Sequence, residues 1–314
     1  MGPMRALGST GLTVGPIGLG CMGMSWAYGA DERDDAQSAA VITRALDLGV
    51  TLLDTSDVYG PFTNEVLVGK ALAGRRDEAV LATKVGLVNT DGTIRPQGDP
   101  EHIRAGIDAS LQRLGTDRVE LYQLHRIDPA VPLEEQWGAM AETVAAGKVL
   151  HLGMSEVTVA QLEVAHAIHP VATVQSELSI WTRDVLAEVL PWCVAHGVGF
   201  LPFSPLGRGF LTGTLGTTFG GDDFRARNPR FTAEAMAANQ TIVDVVQAVA
   251  DRHGATAAQV ALAWVLALDP LIVPIPGTKK VPYLEQNAAA ADLVLSEQDL
   301  TELNDLPAPV GARY

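Results

Sequence analysis

The sequence predicts a protein of the α/β class built as a closed (β/α)8, or TIM, barrel. Three observations carry this. Short runs that are apolar on both faces alternate with longer amphipathic runs, the pattern of a parallel sheet covered by helices. Eight such strand-then-helix units follow one another along the 314 residues. No low-complexity segment, charge block or Ser/Gly linker interrupts them, so residues 1–314 read as a single domain. An open doubly wound sheet is the alternative.

The elements follow in order. MRALGSTGLTV (4–14) reads as a hairpin with Ser9, Thr10 and Gly11 at its turn, ahead of the first barrel strand. PIGLG (16–20) ends that strand, and a helix over 31–48 places Ala40, Ile42, Ala45 and Leu46 on one apolar face. The second unit is a strand at 50–53 and a helix near 63–72. AVLATK (79–84) is the third strand, and Asp99-Pro100 opens the next helix with proline in its first turn. VELYQLH (119–125) is followed by a helix over 132–146. VLHLGMS (149–155) precedes Thr158 and Gln161, which have the spacing of a capping box. VATVQ (171–175) leads to a helix near 183–196, and VGFLPFS (198–204) to a long irregular stretch. Thr256 and Gln259 cap the next helix, LIVPI (271–275) is the last strand, and 281–290 is its helix. Ser296 and Asp299 cap a further one.

Composition narrows the function. Hydrophobic residues make up 47% and charged residues 19%, enough for a large core. The net charge of −15 argues against nucleic acid and anionic membranes as partners. The two cysteines, Cys21 and Cys193, form no disulfide framework and fit a reducing compartment. The N-terminus lacks the apolar run of a signal peptide, and the apolar stretch 260–268 stops at Asp269-Pro270, short of a membrane span. A soluble cytoplasmic protein is expected.

One motif misleads. Gly18-Leu19-Gly20-Cys21-Met22-Gly23 matches GxGxxG, and Asp54 resembles the acid that follows it in dinucleotide folds. That fingerprint needs a helix to start within the glycines, so that its N-terminus faces a pyrophosphate. Here helix signals begin only at Asp31. The glycines are therefore read as a loop over a barrel mouth.

In such barrels the chemistry lies at the C-terminal ends of the strands. Asp54 closes the second strand, Tyr59 follows in its loop, Lys84 closes the third and His125 the fourth. Taken singly, each has a plain structural role: a cap, a snorkelling lysine, a core histidine, a rim aromatic. Together, on consecutive strands, they form an acid–base cluster. A phenol with a pKa near 10 is a reluctant donor at neutral pH, and a nearby ammonium makes it a better one by favouring phenolate. Lys84 can do this, Asp54 can hold Lys84, and His125 can hydrogen-bond the oxygen that gains or loses the proton. The seven histidines show no HxH or HExxH spacing and no GxSxG elbow occurs, which leaves metal hydrolysis and acyl transfer without candidates.

From these residues outward the chain resembles the aldo-keto reductase superfamily. The landmarks are LLDTSDVYGPFTNEVLVGKAL, TKVG, LYQLHRIDP, GKVLHLGMSE, VQSELSIWTRD, PFSPLGRGFLTG and VPIPGTKK, in family order. The resemblance implies NADPH-dependent reduction of aldehydes or ketones, with Tyr59 as proton donor, Lys84 and Asp54 behind it, and His125 orienting the carbonyl. It implies that the cofactor contacts Gly20, Met22 and Asp54, and that Ser155 and Gln175 hold the nicotinamide carboxamide. Glu156 stands where the family often has asparagine, and Phe203 matches the aromatic that stacks on the ring. Ser204, Pro205, Leu206 and Arg208 would run beside the pyrophosphate. Gly277, Thr278, Lys279 and Lys280 would surround the 2′-phosphate, with Gln286 and Asn287 near adenine. Independently, Lys279-Lys280 is a basic pair in an acidic chain, directly before a helix.

The substrate pocket must come from loops. Met22, Trp26, Tyr28, Phe62, Val88, Trp181 and Phe224 are candidates, of which Trp26 and Trp181 join Tyr59 and His125 as the substrate set. Arg126 either receives a substrate carboxylate or pairs with Asp128. The insertion DDFRARNPRF (222–231) either folds over a bound cofactor, stays exposed or contacts another copy. The competing function is a nucleotide-sensing regulatory subunit with little turnover, like the potassium-channel β subunits of this superfamily. The absence of an N-terminal extension favours the free enzyme.

Overall fold

The structure is a computed structural model that describes residues 2–221 and 223–313. Asp222, the first residue of the 222–231 insertion, lies outside the described residues.

The hairpin comes first, β1 (Arg5–Ala6) pairing antiparallel with β2 (Thr13–Val14). The Thr10 hydroxyl donates to Leu7 O at 2.6 Å and fixes the turn. Leu7 and Val14, both fully buried, pack into the barrel interior with Leu52, Ala82, Leu121, Leu201, Val273 and Ile275. The hairpin is thus an apolar plug, and each such side chain contributes about 1.5–3 kcal/mol by leaving water.

Seven parallel strands form the wall. They are β3 (Leu19–Gly20), β4 (Leu52–Asp54), β5 (Val80–Val85), β8 (Val119–Leu124), β9 (Val149–Ser155), β10 (Val171–Glu177) and β11 (Gly199–Phe203), neighbours in that order. The order is sequential, so there is no topological switch point and the open doubly wound alternative falls. The intervening β6 (Leu87–Thr90) and β7 (Thr93–Pro96) make an antiparallel hairpin outside the wall.

The eighth position is taken by residues 271–277. The expected strand there is present as bridges rather than a ladder. On one side the Val273 and Ile275 amides donate to Phe200 O and Pro202 O of β11, and the Phe200 amide donates back to Leu271 O; on the other, Gly18 N donates to Pro274 O at 2.9 Å and Gly20 N to Pro276 O at 3.2 Å. Pro274 and Pro276 have no N–H to give back, which breaks the regular pattern while the barrel still closes.

The helices on the outside start where the caps direct. Asp34 accepts from the Ala36 and Gln37 amides to begin α1 (Asp35–Asp47). The expected start at 31 is replaced by a separate turn of 3-10 helix at Ala30–Glu32. After α2 (Thr63–Ala71), Asp99 caps α3 (Pro100–Leu114), which ends at Gly115 with φ 65°. Then come α4 (Leu133–Ala145) and α5 (Val159–Ile168), the latter with the Thr158–Gln161 capping box formed. The helix expected over 183–196 is divided into a turn at Asp184–Leu186 and α6 (Val189–His196).

The stretch expected to be irregular contains the 21-residue α7 (Ala233–His253), capped by the Thr232 hydroxyl. Capping boxes open α8 (Ala257–Leu268) and α10 (Glu297–Asn304), with α9 (Val281–Ala289) between them. Among the described residues no helix is long and apolar enough to cross a membrane.

Candidate active site

Strand register assembles the site. Lys84 lies opposite Gln123, Gln123 opposite Gly153, and Gln175 opposite Ser155. Asp54 ends β4, and His125 directly follows β8. Inward-facing positions on four strands therefore meet at one end of the barrel.

Lys84 is fully buried and Asp54 is 2% exposed. The Lys84 ammonium donates to Asp54 Oδ1 at 2.5 Å, to the Thr55 carbonyl at 2.8 Å and to the Tyr59 hydroxyl at 3.2 Å. All three ammonium hydrogens thus have acceptors, which a buried cation requires. The second Asp54 oxygen accepts from Gln175 Nε2 at 2.8 Å and Gln123 Nε2 at 3.0 Å. Tyr59 lies under Trp26, ring centroids 5.9 Å apart, and edge-on to His125 at 5.8 Å. His125 Nδ1 lies 3.2 Å from Ser56 Oγ, and Ser56 Oγ lies 3.1 Å from Asp57 Oδ1.

These contacts set the protonation states. Burial pushes the Tyr59 phenol above its ordinary pKa; Lys84 pulls the other way but does not win. The phenol is therefore protonated at neutral pH, and the lowering expected of Lys84 is relative to a bare buried phenol rather than to water. Burial acts to strip the Lys84 proton, but Asp54 and Tyr59 outweigh it and the ammonium is kept. Burial, then Lys84 and Arg126, hold His125 well below the usual imidazole range, so the ring is neutral. The cluster is a protonated phenol beside a fixed cation and a neutral hydrogen-bonding ring.

Of the residues assigned by resemblance to a cofactor, Gly20, Ser155, Gln175 and Phe203 lie at or near the C-terminal ends of β3, β9, β10 and β11. Ser155 Oγ accepts from Arg126 Nη1 at 3.0 Å, which directs Arg126 to Ser155 rather than to Asp128. Glu156, at φ 56°, accepts the Glu177 amide and pairs with Arg313. Arg313 also lies over the Phe203 ring, 5.8 Å from its centroid. Ser204 and Arg208 take left-handed φ of 49° and 58°, and Gly207 and Gly209 do likewise, so the segment through Pro205 and Leu206 is a tight winding loop. Arg208 pairs with Glu177 at 2.9 Å.

Gly20 and Gly277 approach too closely for any side chain: a Cβ on Gly20 would meet Ile275 O at 2.8 Å. Met22 stands in the turn Met22–Met24 that follows. Lys279 donates to the Tyr28 and Gly29 carbonyls, at 3.3 and 3.1 Å. Lys280 is exposed and is the N-cap residue of α9, beside Thr278; Gln286 and Asn287 lie further along that helix. The Lys280 ammonium lies over the Tyr283 ring, 5.7 Å from its centroid, and an exposed cation at a helix start suits a phosphate.

Among the described residues Trp181 makes its ring contacts with Phe210 and Phe231, whereas Tyr59 makes its own with Trp26 and His125. Trp181 is 3% exposed and stacks on Phe210 at 4.6 Å and 10°, with the Arg230 guanidinium 5.2 Å from its ring centroid. The insertion is tied down: Phe224 N donates to Ala27 O, and Arg225 reaches Asp223 and the Arg208 carbonyl. Gln123, Ser56, Asp57 and the Thr55 carbonyl were not anticipated. They are reached through register and loop geometry, which spacing alone does not display.

Barrel and cluster together define a class: proteins that keep a buried lysine–aspartate pair and a phenol at the mouth of a (β/α)8 barrel. The family model for the aldo/keto reductase family matches residues 16–307. The chain is 41% identical over 309 residues to a probable aldo-keto reductase 1 of Glycine max, covering 97% of this chain and 88% of that protein. It superposes on the glycerol dehydrogenase of Gluconobacter oxydans with a TM-score of 0.86 at 28% identity, covering 96% of this chain and 94% of that one. An aldo-keto reductase of Klebsiella pneumoniae solved with NADPH gives 0.79 at 27% identity, covering 100% and 99%. The chain belongs to the aldo/keto reductase family.

Proposed function

We propose that this protein reduces aldehydes or ketones to alcohols with NADPH, and that Tyr59 supplies the proton. The single observation that carries the reading is the Lys84 ammonium held between Asp54 Oδ1 and the Tyr59 hydroxyl. When bound, NADPH supplies the hydride to the carbonyl carbon. Tyr59 gives its hydroxyl proton to the carbonyl oxygen, and Lys84 stabilises the phenolate that remains. Asp54, kept in place by Gln123 and Gln175, holds Lys84 charged in a buried site. His125 hydrogen-bonds the carbonyl oxygen and orients it. Trp26 and Tyr59 present apolar ring surface to the substrate.

The cofactor contacts follow the assignments above. Ser155 would hold the carboxamide, with Gln175 beside it, and Phe203 would stack on the nicotinamide. The 204–208 loop would follow the pyrophosphate, and Lys280 and Thr278 would take the 2′-phosphate. The binding of NADPH by the Klebsiella pneumoniae relative supports this reading. Trp181 would act on the substrate only through the packing beneath Gly207.

The test is Tyr59→Phe, assayed by NADPH oxidation with 4-nitrobenzaldehyde. Loss of a general acid costs about 10²–10⁴ in rate. NADPH binding, followed by quenching of protein fluorescence, should persist. Turnover that survives the substitution would show that the proton comes from elsewhere.

A further inference from the structure

We infer that Ser56 and Asp57 form a relay that decides which ring nitrogen of His125 carries the proton, and so whether the site is set to hold a carbonyl or an alcohol. This rests on the proposed reading that His125 meets the substrate oxygen.

The geometry is a chain of three groups. Ser56, fully buried, stands between Asp57 Oδ1 at 3.1 Å and His125 Nδ1 at 3.2 Å. A hydroxyl has one hydrogen and can donate to only one of these partners. With Asp57 neutral, its O–H donates to Ser56 Oγ, Ser56 donates to Nδ1, and the ring proton resides on Nε2. That nitrogen is then a donor, which a carbonyl oxygen needs. With Asp57 ionised, Ser56 must donate to the carboxylate, which accepts only. Ser56 Oγ then accepts from Nδ1–H, and Nε2 is left with its lone pair, which an alcohol hydroxyl needs. One proton leaves Asp57 for solvent between the two states, and the imidazole stays neutral with one proton in both.

The surroundings place this exchange within reach. Asp57 is 5% exposed, and Glu65 faces it from α2. Glu65 is itself held by the Thr83 hydroxyl at 2.5 Å and by Arg113 from α3 at 2.6 Å, so both the carboxyl and the guanidinium lie near Asp57. From β8, Tyr122 adds a buried phenol whose hydroxyl has no hydrogen-bond partner among the described residues. The Ser56 hydroxyl, the Val58 amide and the Arg113 charge favour the carboxylate, but burial first and Glu65 second prevail, and Asp57 is pushed up to about 7. On the other side, His125 faces Lys84 from β5 and Arg126, and meets the edge of Tyr59. Burial first, and the two cations after it, keep the ring from taking a second proton, so only the position of its one proton is free to change.

The experiment compares the full chain and Asp57→Asn in NADPH-dependent reduction of 4-nitrobenzaldehyde at pH 6 and pH 8. For a group titrating at about 7, the neutral fraction falls from roughly nine-tenths to one-tenth, so kcat/KM should fall about tenfold. In Asp57→Asn no proton is left to lose, and the ratio should come within about twofold of one. A flat wild-type profile, or a variant that keeps the tenfold fall, overturns the relay. Nitrogen-15 spectra of the His125 ring in the unsubstituted protein test it without any variant. The protonated nitrogen should change from Nε2 to Nδ1 between pH 6 and pH 8, and a ring that keeps one tautomer throughout refutes it. Because the spectra need no turnover, failure of the reductase reading and failure of the relay give different results.

Discussion

Replacing Lys84 by methionine removes the ammonium while keeping an unbranched apolar stem. The charge lies 3.2 Å from the Tyr59 oxygen. Two unit charges at that separation attract by about 5 kcal/mol at an effective dielectric of ~20. If the phenol has released about half its proton in the transition state, about half of that is lost, or roughly 10² in rate. A second cost arises in folding. Asp54 would remain buried and charged, served only by the amides of Gln123 and Gln175. Breaking a buried pair from one side costs about 3–5 kcal/mol. The companion Asp54→Asn/Lys84→Met removes both charges and separates the two effects. The assay is single-turnover NADPH oxidation with 4-nitrobenzaldehyde, after circular dichroism and thermal melts establish that each variant is folded. A folded Lys84→Met protein that binds NADPH and turns over within about threefold of wild type would refute the assisted phenol.

Two further outcomes are expected. Lys280→Ala should raise the KM for NADPH about tenfold or more, the worth of one charge-assisted phosphate contact, and leave that for NADH nearly unchanged; equal changes with both nucleotides would reject the 2′-phosphate assignment. Asp57 should also shape stability. Its folded pKa of about 7 lies above the ordinary aspartate value of about 3.9, so between the two the folded state holds a proton that the unfolded chain has released. Its contribution therefore falls as pH rises from about 4 to about 7, by a few kcal/mol at most. Urea melts at pH 5 and pH 8 should show Asp57→Asn losing less stability over that interval than the parent protein.

Much of the fold was legible because its signals are local. Thr158–Gln161, Thr256–Gln259 and Ser296–Asp299 close their own capping boxes within four residues, so spacing sufficed. The β6–β7 hairpin carries an equally local mark in the sequence. Asp91-Gly92 supplies two left-handed residues, φ 51° and 81°, between the short strands LVNT and TIRP. α7 carries one as well, with Thr232 at its start and Gly254 at its end. Asp54, Tyr59, Lys84 and His125 were visible because charged or polar groups at the ends of apolar strands are conspicuous. Gln123 was not, because its role depends on lying opposite Lys84 across a parallel pair. Ser56 and Asp57 sit inside the same motif as Tyr59, but the direction of a loop side chain is a three-dimensional fact.

The proline-interrupted seam between residues 18–20 and 274–277 closes the cylinder with a bridge in place of a full ladder. It is fastened there by two amide bonds, from Gly18 and Gly20, and nothing is returned by either imide nitrogen. Gly20 and Gly277 lie on that seam, so a nucleotide laid across it would act as a clasp joining the first and last turns of the chain. Opening of the wall and residence of the nucleotide would then be two views of one equilibrium, the loaded molecule being the more tightly shut one.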